Sequence, residues 1–229
     1  MLTKTEGIVI SSIKYGDSSL ITRIYTQEYG MQSFVFSGVR SSKTKLSPAL
    51  FLTFNVLDLV VYYKPTSELH RCKEVKIMHP AVMIAGDIKK SAMAMFMAEL
   101  IQRTVPAGGS LHGLYIFLKK AALHLEHSVS GYENLHLHVA LLLCGFLGFE
   151  IEDAAMLERD VQLFANMPGY KLPVSGEILQ QLISDDFGAV KLRHTERLLL
   201  LENIIMYLSV HIDHFKSVRS LEVLKTIFS

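Results

Sequence analysis

Cysteine is scarce. The 229-residue chain has two, Cys72 and Cys144, standing 72 positions apart. That excludes a disulfide-rich secreted scaffold and every zinc module built from cysteine alone. Cys144 follows Leu141-Leu142-Leu143 and reads as a small core residue; Cys72 falls on a strand and reads as half exposed. Neither has an activating partner nearby in sequence, so a thiol nucleophile is not expected. Long apolar runs are also missing. The longest, Val139 to Phe149, is about half of what a membrane-spanning helix needs. The opening residues lack a signal-peptide layout, because Glu6 and the pair Ser11-Ser12 break up the apolar positions. A soluble, cytoplasmic protein is expected. There is no Walker loop, no Gly-x-Ser-x-Gly elbow, no dinucleotide fingerprint and no His-Glu-x-x-His. Gly108-Gly109-Ser110 lacks the lysine and the spacing of a phosphate loop. No internal repeat and no low-complexity segment appears. Nothing argues for an enzyme or a cofactor.

Charge of one sign is not in excess either. Lys plus Arg (23) against Asp plus Glu (22) gives +1, which excludes a globally basic, histone-like protein. The balance hides a polarity. Residues 1–80 carry ten basic and six acidic residues, whereas residues 126–190 carry two basic residues against ten acidic ones.

What is present is a change of texture near His79-Pro80. Before it, apolar, β-branched and aromatic residues alternate with period two, as in Leu20, Thr22 and Ile24 against Ile21, Arg23 and Tyr25. Strands are predicted over 5–14, 18–26, 31–38, 51–63 and 68–77, joined by turn residues such as Tyr15-Gly16-Asp17-Ser18. Five short strands in about 75 residues fit a small barrel, of which the OB-fold is one form. After Pro80 the period becomes helical. Asp87 caps a helix to about Val105, Ser110 caps one from Leu111 to His127, and a third spans about Tyr132 to Leu147. Residues 149–192 read as irregular, with one short helix at 175–184. Leu198, Leu201, Ile205, Leu208 and Ile212 then form the stripe of a long helix. Leu221, Leu224 and Phe228 mark the last. The fold class is therefore α+β, an N-terminal five-stranded barrel (residues 1–80) followed by an all-helical domain (81–229), hinged at Pro80.

The segment Gly38 to Lys45 carries three cations, Arg40, Lys43 and Lys45, among small hydroxyl residues, with no acid from Met31 to Asn55. Such arms suit phosphate oxygens, and each neutralised phosphate releases counterions. Lys14, Arg23, Lys64, Arg71 and Lys73 add charge, and Tyr15, Tyr25, Phe34, Phe36, Tyr62 and Tyr63 add rings. A basic groove with stacking platforms is how small barrels hold single strands. The plain alternative is a solvated loop on an ordinary barrel whose aromatics are core. His136 and His138, His124 and His127, and His211 and His214 offer spacings of two or three, but no third or fourth ligand, so they read as helix-surface or interface histidines. Met93, Met95 and Met97 around Phe96 make the first long helix apolar nearly all round, the mark of a buried central helix; a Met-lined groove for a partner peptide is the other reading.

Several phrases in order carry a resemblance. They are Thr5-Glu6-Gly7-Ile8-Val9, Tyr15-Gly16-Asp17-Ser18-Ser19-Leu20, Thr26-Gln27-Glu28-Tyr29-Gly30-Met31, Phe36-Ser37-Gly38-Val39-Arg40, and, near the end, Phe215-Lys216-Ser217-Val218-Arg219-Ser220-Leu221-Glu222. Together they resemble the RecO family of bacterial recombination mediators. The resemblance implies an N-terminal OB-fold and a helical C-terminal domain. It also implies binding of single- and double-stranded DNA, annealing of complementary strands, and help in loading RecA onto DNA coated by single-strand binding protein (SSB). RecR and the acidic C-terminal tail of SSB are the implied partners, with no membrane, at the bacterial nucleoid. Many members carry a four-cysteine zinc site in the helical domain; Gly148 to Pro173 here has no cysteine, so no metal is expected, and acidic residues 150–160 stand in its place. The residues expected on DNA are Arg40, Lys43, Lys45, Arg23, Lys14, Arg71 and Lys73. Arg103, Lys119 and Lys120 are candidates for a second contact, with DNA or with the SSB tail. The competing reading is a protein-interaction adaptor whose barrel binds a partner peptide instead of DNA.

Overall fold

Alternation along the first eighty residues sends every second side chain to one face, and five strands close around that face. The computed structural model describes residues 1–39, 46–184, 187–188, 190–215 and 217–228. Its strands are β1 (Leu2–Tyr15), β2 (Ser19–Thr26), β3 (Gly30–Phe36), β4 (Val56–Tyr62) and β5 (His70–His79). They form a closed barrel in the order β1-β2-β3-β5-β4. Every neighbouring pair is antiparallel except β3 and β5, which run parallel. This is the expected OB-type barrel with helices after it. Val9, Leu20, Ile24, Phe34, Phe36, Leu57, Leu59 and Val61 fill its interior. Gly7 lies where a β-carbon would stand 2.4 Å from Ile24 Cγ2, so the strand passes there only without a side chain.

The fourth strand starts later than its apolar pattern suggests. Pro48–Phe51 forms a short 3-10 turn capped by the Ser47 hydroxyl. Phe54 follows with φ of 69°. Phe51 and Phe54 still bury their rings, so a turn delivers to the core what a strand was expected to deliver. The buried Asn55 carboxamide organises this corner. Its Nδ2 donates to the carbonyls of Ala49 and Leu50 at 2.8 and 2.9 Å, and its Oδ1 accepts from the Ala81 amide at 2.7 Å.

Strand gives way to helix after His79, where the texture changes. The helices are α1 (Val82–Gly86), α2 (Ile88–Thr104), α3 (Leu114–His127), α4 (Leu135–Phe146), α5 (Ala154–Phe164), α6 (Gly176–Ser184), α7 (His194–His211) and α8 (Ser220–Ile227). Packing divides the chain further on, into residues 1–126 and 127–229, rather than at Pro80. The reason is a set of bonds between the barrel and the first helices. The amide of Met31 donates to the Gly109 carbonyl at 3.2 Å, and Gly108 returns a bond to the Met31 carbonyl at 2.8 Å. Ser11 Oγ donates to Gln102 Oε1 at 3.0 Å. Gly30, with φ of 63°, lets this approach occur: a β-carbon there would sit 2.0 Å from the Gly109 oxygen. The Tyr25 hydroxyl accepts from the Leu111 amide at 3.0 Å, and α3 begins three residues after the expected start.

Asp87 caps α2 as expected, accepting from the amides of Lys89 and Lys90 at 2.8 and 2.9 Å. Met93, Phe96 and Met97 are buried, but Met95 is 43 % exposed, so one side of α2 meets solvent. In the second unit, α4 is buried on nearly all sides. Helix α5 occupies sequence that reads as irregular, and Asp153 caps it by accepting from the Met156 amide. The buried face of α7 centres on Leu200, Leu201, Ile204, Tyr207 and Leu208. Leu201 and Leu208 belong to the expected stripe; Leu198, Ile205 and Ile212 flank it. Among the described residues, no helix is long and apolar enough to cross a membrane.

Candidate nucleic-acid interface

Strand register determines which side chains share the outer face. Arg23 on β2 stands opposite Ser11 on β1 and Ser33 on β3. Two residues along, Ile13, Ile21, Val35, Arg71 and Tyr62 form one cross-strand row over β1, β2, β3, β5 and β4. Arg23 and Arg71 therefore lie on the same face, two strands and two residues apart, a separation on the order of 10 Å. Both are exposed, and neither makes an ion pair among the described residues. Strands β2 and β3 contain no Asp or Glu. Lys14, opposite Leu20, has the parity of the interior but lies beyond the core at the barrel's end, where it too is exposed. The β1–β2 turn, the end of β3 and the β4–β5 connection all reach this end. Lys73 is exposed next to Glu74, whose carboxylate is 3.8 Å away. Arg40, Lys43 and Lys45 lie outside the described residues.

The second group of candidate cations is engaged within the first unit. Arg103 grips Glu99 one turn back along α2, through two nitrogens at 2.8 and 2.5 Å. Lys119 Nζ bonds Glu6 Oε2 at 2.6 Å, and the Tyr115 hydroxyl donates to the same oxygen at 2.7 Å. These two bonds hold the Glu6 carboxyl below its ordinary pKa, Lys119 foremost. Burial, then the hydrogen bond to Glu6 and its charge, pushes the Tyr115 hydroxyl up. Lys119 thus ties α3 to β1. Lys120 is exposed.

The rings separate equally clearly. Tyr25, Phe34, Phe36, Phe51 and Phe54 are buried. Tyr29 and Tyr63 stack on each other, centroids 3.8 Å apart, and Tyr63 also stacks on His70. Tyr15 and Tyr62 remain half exposed on the outside. The histidines assemble no metal set: among the described residues, no three His, Cys, Asp or Glu side chains could hold an ion. His136 and His138 are buried inside the second unit, not on a helix surface, because α4 is enclosed. His211 bonds Asp160 at 3.1 Å. Burial raises both thiols to about 12, which leaves neither as a thiolate at neutral pH.

The comparisons with known proteins agree with this architecture. A family model, Recombination protein O N terminal, matches residues 1–81. The DNA repair protein RecO of Flavobacterium psychrophilum is 33 % identical over 239 positions, covering all of both chains. That of Bacteroides fragilis is 31 % identical over 244 positions, again covering both fully. That of Chlorobium luteolum is 30 % identical over 182 positions, 74 % of this chain and 69 % of its own. The chain belongs to the RecO family of DNA repair proteins.

Proposed function

We propose that this chain is a recombination mediator. It binds single- and double-stranded DNA on the outer face of its barrel, anneals complementary strands, and with RecR helps RecA onto SSB-coated DNA at the nucleoid. The observation that supports this reading is the outer face over β2, β3 and β5: β2 and β3 carry no acid, and Arg23 on β2 and Arg71 on β5 stand exposed with no ion pair among the described residues. A polyanion supplies the missing negative charge. Annealing is slowed by repulsion between two phosphate backbones and by stray base pairing within each strand. A surface that neutralises phosphates and holds bases apart lowers both barriers, and no covalent bond is made or broken. Lys120, exposed on α3, is the cation proposed to meet the acidic SSB tail.

The test is annealing of complementary, SSB-coated oligonucleotides carrying a fluorophore and a quencher. Quenching that accelerates with added protein supports the proposal; an unchanged rate refutes annealing. A second reading, the adaptor, draws on the exposed Ile13 beside Ile21 and Val35, an apolar strip that suits a peptide. Salt dependence separates the two. Direct phosphate contact weakens steeply with salt, whereas an apolar peptide contact does not.

A further inference from the structure

Of the nine rings between residues 1 and 80, seven are already occupied, by burial or by each other. Two are not: Tyr15 is 54 % exposed and Tyr62 is 51 % exposed. Tyr62 stands directly opposite Arg71. Tyr15 shares the outward parity of Ser11 and Ile13 on β1 and lies opposite Ser19. Both are at the barrel end that also carries Lys14. From β1 through β2, β3 and β5 to β4 there are four strand spacings, an arc of roughly 19 Å along the surface. Along that arc the outer face offers a ring, an apolar floor of Ile13, Ile21 and Val35, a guanidinium, and a second ring.

We infer that Tyr15 and Tyr62 are base-stacking platforms, so that this face takes a single strand by its bases as well as its phosphates. The inference rests on the DNA-binding reading and adds a substrate preference to it. An open tyrosine face accepts any base, which gives stacking without sequence preference. A duplex keeps its base faces covered by its own stack, so it reaches the arginines but not the rings. The outer face therefore discriminates between strand types: Arg23 and Arg71 serve both, and the tyrosines serve only unpaired DNA. For a mediator this is the useful order of preference, since strands must be held unpaired until complements meet.

The test is fluorescence anisotropy with the full-length protein and two labelled oligonucleotides of equal length. One is oligothymidine; the other is abasic, with the same phosphates and no bases. The wild-type protein is expected to bind oligothymidine roughly tenfold or more tightly than the abasic strand. A Tyr15→Thr, Tyr62→Thr double variant should fall to the abasic level on both, with its salt slope unchanged. Tyr15→Phe, Tyr62→Phe should keep the wild-type difference, because the ring and not the hydroxyl is used. Equal wild-type affinity for the two strands overturns the inference while leaving phosphate binding intact. A folded Thr variant that keeps the preference overturns it as well. Binding of neither strand removes the parent reading and this one with it. The wild-type comparison needs no variant, so equal affinity for the two strands overturns the inference even if the Thr substitutions impair folding.

Discussion

Replacing Arg23 and Arg71 together by alanine tests whether the outer face of the barrel meets phosphate. The structure sets the magnitude. Both guanidinium groups are exposed, neither is neutralised by a carboxylate among the described residues, and they share one face. If each contacts one phosphate of a single strand, the slope of log affinity against log salt should become shallower by about 0.7 for each, or about 1.4 together. Taking 1 M salt as the point where the electrostatic contribution vanishes, affinity at 0.1 M should fall by about 1.4 decades, roughly 25-fold. Lys4→Ala is the control. It also removes a positive charge, but Lys4 lies 3.2 Å from Asp58 on the β1–β4 side and has a counter-charge already. Its slope should change little. The assay is anisotropy of a labelled oligonucleotide at four or five salt concentrations, with thermal melts to confirm folding. An unchanged slope in the folded double variant, or an equal loss in Lys4→Ala, would refute the assignment of this face.

The remaining predictions concern the loop, the pH response and the packing. Arg40→Ala, Lys43→Ala and Lys45→Ala combined should reduce oligonucleotide affinity by an order of magnitude or more at moderate salt; full retention in a folded variant removes these three from the contact set. The Glu6 carboxyl titrates below its ordinary range when folded, so its bonds to Lys119 and Tyr115 stabilise fully above that range. That contribution disappears as pH falls through the lower, folded value. Melting temperatures measured from pH 7 down to pH 3 should therefore drop less for Glu6→Gln than for wild type, and parallel curves would contradict this. Gly30→Ala places a β-carbon against the Gly109 oxygen at a φ of 63°. Denaturant unfolding should show a loss of about 2–4 kcal/mol, and a loss below about 0.5 kcal/mol would show that β3 and the α2–α3 connection part easily.

The phrases that carry the family resemblance are mostly scaffold. Gly7 clears Ile24, and Gly30 admits Gly109. Thr26 Oγ1 donates to the Gly30 carbonyl and accepts from the Tyr29 amide, closing the β2–β3 turn. Glu6 holds Lys119. Those roles are local or nearly so, and period-two alternation was enough to place the strands around them. The late start of β4 was not legible, because the apolar run around Phe51 and Phe54 looks the same whether a strand or a turn buries it. Helix α5 was hidden for the opposite reason: its acidic, breaker-flanked sequence has only two buried anchors, Leu157 and Val161. The functional face was legible in composition and illegible in arrangement. Alternation reports that Arg23, Arg71 and Tyr62 point outward, but not that β5 lies beside β3.

That neighbourhood rests on the one parallel pairing in the barrel, Phe34 opposite His70 and Val35 opposite Arg71. A slip of one residue there would turn Arg71 inward and His70 outward. What opposes the slip is buried. His70 Nε2 meets Gln32 Oε1 at 3.0 Å, Gln32 Nε2 donates to the Tyr29 carbonyl at 2.7 Å, and the Phe34 ring packs on the imidazole at 5.7 Å. Burial also lowers the pKa of His70, so the neutral ring is the form the interior favours near neutral pH. The charge presented to a polyanion outside is thus positioned by an uncharged polar contact inside. A substitution that never touches DNA, such as Gln32→Leu, should leave a buried imidazole without its partner and loosen the register on which Arg71 and Tyr62 depend.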